Sequence, residues 1–193
     1  MWWITVVAGL VGGVVGYGTR LLSARFVREA PIPAGWCEGA CGIGFAVVVS
    51  LLGLTPALVP ILALVWWMVA MSVVDLCVRR LPNALTLPGA AAIVGFSAAA
   101  GDGGAAVAGA LMLSASYLVL HLVAPSGMGA GDVKLALGLG AVTGVAGASA
   151  WLLAAALAPV LTAVVGLMWR RGGTTIAHGP SMCVATAVAL WCL

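Results

Sequence analysis

The stretch Ala57-Leu-Val-Pro-Ile-Leu-Ala-Leu-Val-Trp-Trp-Met-Val-Ala-Met-Ser-Val-Val-Asp-Leu76 carries one charge, Asp75, near its end. It runs into Cys77-Val-Arg-Arg-Leu-Pro-Asn83, where two arginines and a proline close it. About 20 apolar residues cross the hydrocarbon core of a bilayer, so this stretch reads as a membrane-spanning helix. Similar runs lie at 2–20, 39–54, 85–101, 104–123, 133–148, 151–169 and 174–193. Two of these, 39–54 and 133–148, are short, and Thr55-Pro56 barely parts the second run from the third, so seven spans stay open beside eight. The runs lack polar–apolar alternation and must satisfy their own backbone groups, which predicts helices and excludes a membrane barrel. Over all 193 residues, 64% are apolar and 7% charged, against about 25% charged in soluble domains. An all-α polytopic membrane protein is expected, forming one transmembrane domain over 1–193.

Charge placement orients it. With the N-terminus outside, the cytoplasmic segments are 21–38, 77–84, 124–132 and 170–173. Arg20, Arg25, Arg28, Arg79, Arg80, Lys134, Arg170 and Arg171 all fall in or beside them, as the positive-inside rule requires. An even span count then puts the C-terminus outside too. A formal charge of +3, scattered as it is, makes no nucleic-acid footprint. No basic region precedes the first apolar run, so no removable leader is expected. Cys37 and Cys41 are spaced C-x-x-x-C with no second pair, which argues for buried thiols and against a metal site. No cofactor is called for.

Of five acids, Glu29, Glu38 and Asp102 read as solvated loop or turn residues. Asp75 lies in the last turn of the third span, and Asp132 opens the sixth after Gly129-Ala-Gly131. Ionisable groups at membrane depth are costly and are functional candidates by default. The orientation places both on the cytoplasmic face at similar depth. Two carboxylates so placed suit acid–base chemistry; alternatively each caps or anchors its own helix.

The surrounding residues bear on that choice. Gly127-Met-Gly-Ala-Gly-Asp-Val-Lys-Leu135 contains G-x-G-D-x-K-L, and Asp75 to Asn83 contains D-x6-P-N. Together they resemble the type IV prepilin peptidases, membrane aspartic proteases of the GxGD type. His178-Gly-Pro180 is similar to the Gly-Pro that opens the last span in that family, so Gly179 and Pro180 join the candidates. The resemblance covers roughly 60–182, the expected peptidase core. It implies that Asp75 and Asp132 are catalytic. It also implies cleavage of prepilin or pseudopilin leaders after Gly, at the cytoplasmic face of the inner membrane. Long members carry a cytoplasmic domain with two C-x-x-C pairs linked to N-methylation. Here 21–38 is a short loop in its place, which implies a peptidase without methyltransferase activity.

Residue chemistry suggests roles beside the resemblance. Glycines 127, 129 and 131 permit positive φ and close approach of a substrate backbone; loop flexibility or tight helix packing is the alternative. Pro82 ends the third helix between Asp75 and Leu81 and leaves Asn83 to cap the next, with hydrogen bonding to substrate the alternative. Asp132 at a helix N-terminus favours the carboxylate and Asp75 near a C-terminus disfavours it, which predicts base and acid respectively. Arg79 weakens that assignment if the helix runs on to it. Lys134 points away from Asp132 on a helix and reads as snorkelling to headgroups, with the family pattern placing it at the leader or loop. His121 and His178 read as interfacial, each with a structural role or contact with the site open to it. The partners expected are the bilayer and a peptide substrate. A small proton-coupled transporter and a non-catalytic pilus-assembly subunit are the other classes that fit paired membrane acids.

Overall fold

The structure, a computed structural model, describes residues 2–27, 32–123, 128–168 and 177–192. These form eight helices and no strand: α1 (Trp2–Ser23), α2 (Trp36–Leu52), α3 (Leu58–Val78), α4 (Asn83–Ala99), α5 (Gly103–Val123), α6 (Ala130–Ala146), α7 (Ala148–Met168) and α8 (Gly179–Trp191). Each falls on one of the eight apolar runs. Four of them, α1, α3, α5 and α7, are long and apolar enough to cross a membrane. Gly53, Gly101 and Gly147 supply the positive φ at three tight connections. Exposed Leu, Val, Phe and Trp side chains cover the helices, as expected where lipid is the solvent. The protein is a polytopic α-helical membrane protein. It divides into two compact units, Met1–Val78 and Arg79–Leu193.

In the first unit α1 packs along α2 by glycine. A Cβ on Gly12 would lie 2.5 Å from the Cys41 carbonyl oxygen, and one on Gly16 would run into that of Cys37. Cys37 and Cys41 are free, fully buried thiols on the α2 side of this seam. At one end Arg20 Nε pairs with Glu38 Oε1 at 2.7 Å. The other oxygen of Glu38 accepts the Gly35 N–H at 3.0 Å and caps α2. Glu38, expected as a solvated loop acid, is therefore half-buried and structural: α2 begins three residues earlier than the apolar run. Trp66 on α3 donates its Nε1–H to Thr19 Oγ1 at 2.7 Å.

In the second unit α6 is the hub, packed against α4, α5, α7 and α8. Its buried positions include Leu135, Ala136, Gly138, Leu139, Gly140 and Ala141, nearly all around the helix, which is why it shows no amphipathic stripe. Its contact with α5 is again backbone on backbone. A Cβ on Gly140 would sit 2.5 Å from the Gly109 carbonyl oxygen, and one on Gly144 would sit 2.6 Å from that of Ala105. Trp151 of α7 donates to the Gly109 carbonyl at 3.1 Å. Ser114 of α5 donates to the Val133 carbonyl at 2.9 Å, fixing the start of α6.

Replacing Gly109 by Ala pushes a methyl into the α6 backbone, and rigid overpacking of this kind costs about 1–3 kcal/mol. Gly104, also on α5, has open space around it. Unfolding in mixed detergent should show Gly109→Ala destabilised by that amount and Gly104→Ala within about 0.5 kcal/mol of the parent.

Candidate active site

Asp132 is the third residue of α6, and Gly129 is the N-cap. The Gly129 N–H donates to Asp132 Oδ2 at 3.1 Å, so the carboxylate satisfies one of the donors a helix start leaves unpaired. Asp132 is 6% exposed. Helix capping, one of the two readings the sequence allowed for this acid, is realised. It is compatible with chemistry, because a carboxylate has acceptor capacity beyond one N–H.

Of the two readings for the glycines beside it, close packing is the one seen at Gly131. Gly129 has φ −79 and ψ 147, ordinary extended backbone, and Gly131 is helical, so neither takes positive φ. What Gly131 provides is space. A Cβ there would lie 3.0 Å from Leu81 Cβ and 3.3 Å from Leu81 N, so the missing side chain admits the chain that leads into α4. Gly127 lies outside the described residues.

That chain is held a second time. Lys134 Nζ donates to Asn83 Oδ1 at 2.7 Å. The N-cap of α4 is Pro82, at φ −69 and ψ 133, and Asn83 is the first helical residue. Asn83 therefore does not cap α4 as expected. Proline belongs at a helix start because its missing N–H is not needed there, and this frees the Asn83 amide to face Lys134. Lys134 ties two helices together, a role its spacing from Asp132 did not suggest. The structure thus brings Pro82 and Asn83 of one motif against Gly131 and Lys134 of the other.

Asp75 belongs to the first unit. It is 5% exposed on α3, three residues before the helix ends at Val78. Arg79 takes φ 51, a left-handed conformation that costs a non-glycine residue about 1–2 kcal/mol, and the helix stops there. The helical register from Asp75 therefore does not extend to Arg79.

Around the start of α6 the second unit also gathers Tyr117, which the sequence did not single out, with the two histidines that it did. Tyr117 of α5 is 4% exposed and within electrostatic reach of Asp132. Its ring lies against that of His178, with centroids 5.6 Å apart. His178 is the N-cap of α8, where Gly179 and Pro180 form the first turn. His121, at the end of α5, donates its Nδ1–H to the Met128 carbonyl at 2.7 Å and so anchors the backbone just before Gly129. Tyr117 is one of only two tyrosines in the chain; that scarcity, near the end of an apolar span, was the available signal.

Comparison with known families decides the class. Residues 62–170, more than half of the chain, match the model of the type IV leader peptidase family. The chain belongs to this family. No curated protein and no solved structure matches it. The matched stretch contains both acidic motifs and ends before His178-Gly-Pro180, which the suspected core of 60–182 had included. The protein is accordingly a membrane peptidase, as the motif resemblance implied.

The Lys134–Asn83 hydrogen bond is testable by a double-mutant cycle. Lys134→Met and Asn83→Ala should each destabilise the folded protein. The double mutant should fall short of the sum by about 1 kcal/mol, within the range for residues in direct contact. Additivity would remove the bond from the account.

Proposed function

We propose that this leader peptidase is an aspartic endopeptidase that removes the basic leader of type IV prepilin-like or pseudopilin precursors. It cuts after Gly at the cytoplasmic face of the inner membrane, using Asp75 and Asp132. The observation that carries the reading is the family match, which spans both acidic motifs. The burial of each acid beside a helix end supports it.

In the chemistry that follows, Asp132 is the base. It sits at the N-terminus of α6, where backbone N–H groups and the helix dipole favour the carboxylate. It takes a proton from water as the water oxygen attacks the scissile carbonyl carbon. Asp75 lies near the C-terminal end of α3, where the helix dipole disfavours the charged form. It is the protonated partner that hydrogen-bonds the carbonyl oxygen as charge develops there. Collapse of the tetrahedral intermediate breaks the C–N bond, and the departing amine leaves with the proton that Asp132 had taken.

The remaining candidates position this machinery. Lys134, Asn83, Pro82 and Gly131 hold the α4 entry against the start of α6, and Gly129 holds the Asp132 carboxylate. Gly179 and Pro180 start α8 and stand with Gly127 among the residues that meet substrate. Basic residues at one face keep a leader of like charge from being drawn in strongly, so recognition rests on the apolar segment that follows the cut. The short interval at 21–38 leaves the enzyme without a methyltransferase module.

The purified protein in detergent, given a synthetic precursor with a Gly–hydrophobic junction, should release the leader. Asp75→Asn and Asp132→Asn should each lower kcat by at least about 100-fold, whereas Asp102→Asn, on a distant exposed turn, should not. Retention of more than a few per cent of activity by Asp75→Asn would sink the two-carboxylate mechanism. Proton flux into liposomes without cleavage would replace the peptidase by a transporter.

A further inference from the structure

His178 has no part in the chemistry above, yet it is 7% exposed and built into the interior of the second unit. Its Nδ1 is in hydrogen-bond contact with Thr162 Oγ1 of α7. Among the described residues, Nε2 is a buried side-chain polar atom with no hydrogen-bond partner. A buried polar group left unpaired is costly, so the position calls for a ligand.

The hydrogen-bond pattern fixes what kind. Thr162 Oγ1 also contacts the Ala158 carbonyl oxygen at 3.1 Å, and a carbonyl can only accept. A hydroxyl has one proton. If it goes to Ala158, the oxygen accepts from an Nδ1–H and every atom of the chain Ala158–Thr162–His178 is satisfied. If it goes to His178 instead, the contact to Ala158 is empty and Nε2–H becomes a buried orphan donor. The first pattern makes one more hydrogen bond, so the neutral ring is the Nδ1–H tautomer and Nε2 offers a lone pair. The two ring nitrogens diverge, so this lone pair points away from α7. The ring lies against Tyr117, which is itself within electrostatic reach of Asp132.

We propose that His178 Nε2 accepts a hydrogen bond from an ordered water in the buried polar cluster formed with Tyr117 and Asp132, and that this makes His178 a positioning residue for hydrolysis. Water is the occupant that fits a buried, unpaired acceptor beside the Tyr117 ring, since proteins keep buried waters on otherwise unsatisfied polar groups. Thr162 acts through His178 by fixing the tautomer. The role in hydrolysis rests on the peptidase reading, whereas the water site does not.

Two measurements separate them. In the full chain labelled with 15N-histidine and held in nanodiscs, only His121 and His178 give signals, and loss of one in His178→Gln assigns it. The expected result is protonated Nδ1, unprotonated Nε2, and magnetisation transfer from water protons to the His178 ring. An Nε2–H tautomer, or a bare Nε2 with no water transfer, overturns the water site.

The second measurement is cleavage of the synthetic precursor by folded variants checked by size exclusion and thermal midpoint. His178→Phe fills the space without an acceptor and should lower kcat about tenfold with KM unchanged. His178→Gln keeps an acceptor at the ε position and should return to within about threefold of the parent. Parental kcat in His178→Phe overturns the positioning role while the peptidase stands. No cleavage by the parent protein overturns the peptidase reading and the positioning role together, and the ring signals still decide the water site.

Discussion

Inside a bilayer the apolar effect does not press one helix against another, since lipid tails are as apolar as leucine. Helices stay together where backbones can touch. In the second unit this happens along α5 and α6, where Gly109, Gly140 and Gly144 remove the side chains that would keep the two apart. The consequence reaches the chemistry. With α6 drawn onto α5, Ser114 meets the Val133 carbonyl and Tyr117 comes within range of Asp132. Because α6 also packs on α4, α7 and α8, its position sets where every other candidate in that unit can stand. Widening this seam would move the start of α6, and with it the Asp132 carboxylate.

The same helix start shows how a structural role and a chemical one can be one arrangement. Asp132 caps α6 through Gly129. A cap could have been any short polar residue, but a carboxylate held by backbone N–H is also fixed in direction. Gly131 and Lys134 then close the frame from the other side by admitting Leu81 and holding Asn83. The role of base proposed for Asp132 calls for this kind of restraint, because small misplacements of reacting groups are costly.

The helices were legible in the sequence because lipid imposes a crude demand, about 20 apolar residues between polar breaks, and each of the eight helices falls on such a run. The two acidic motifs were legible because charge is so rare here that each acid stands out. What the sequence concealed was pairing. Nothing in a lysine two residues past Asp132 says that it will reach an asparagine 51 positions earlier. Glu38 looked like a loop acid because the apolar run begins after it, whereas the helix begins before it and takes it as a cap. Spacing left two uses open for the glycines at 129 and 131, freedom of φ or close packing; at Gly131 it is absent volume that matters, and which neighbour fills it is not knowable from local spacing.

Polar groups in this unit are few, and several gather near one end of α6. Asp132, Tyr117 and His178 are each nearly fully buried, where lipid-like surroundings penalise any polar atom left unpaired. Thr162 joins them through His178. A protein that merely needed to fold in the membrane gains more from apolar packing at such positions, since replacing paired buried polar groups by well-fitted apolar ones is often neutral or stabilising. Hydrolysis supplies the reason to retain them. Water is a substrate of any peptidase reaction, and the bilayer excludes it. A cluster that keeps carboxylate, hydroxyl and imidazole together beside a capped helix start gives water a place to bind at the depth where the peptide must be met.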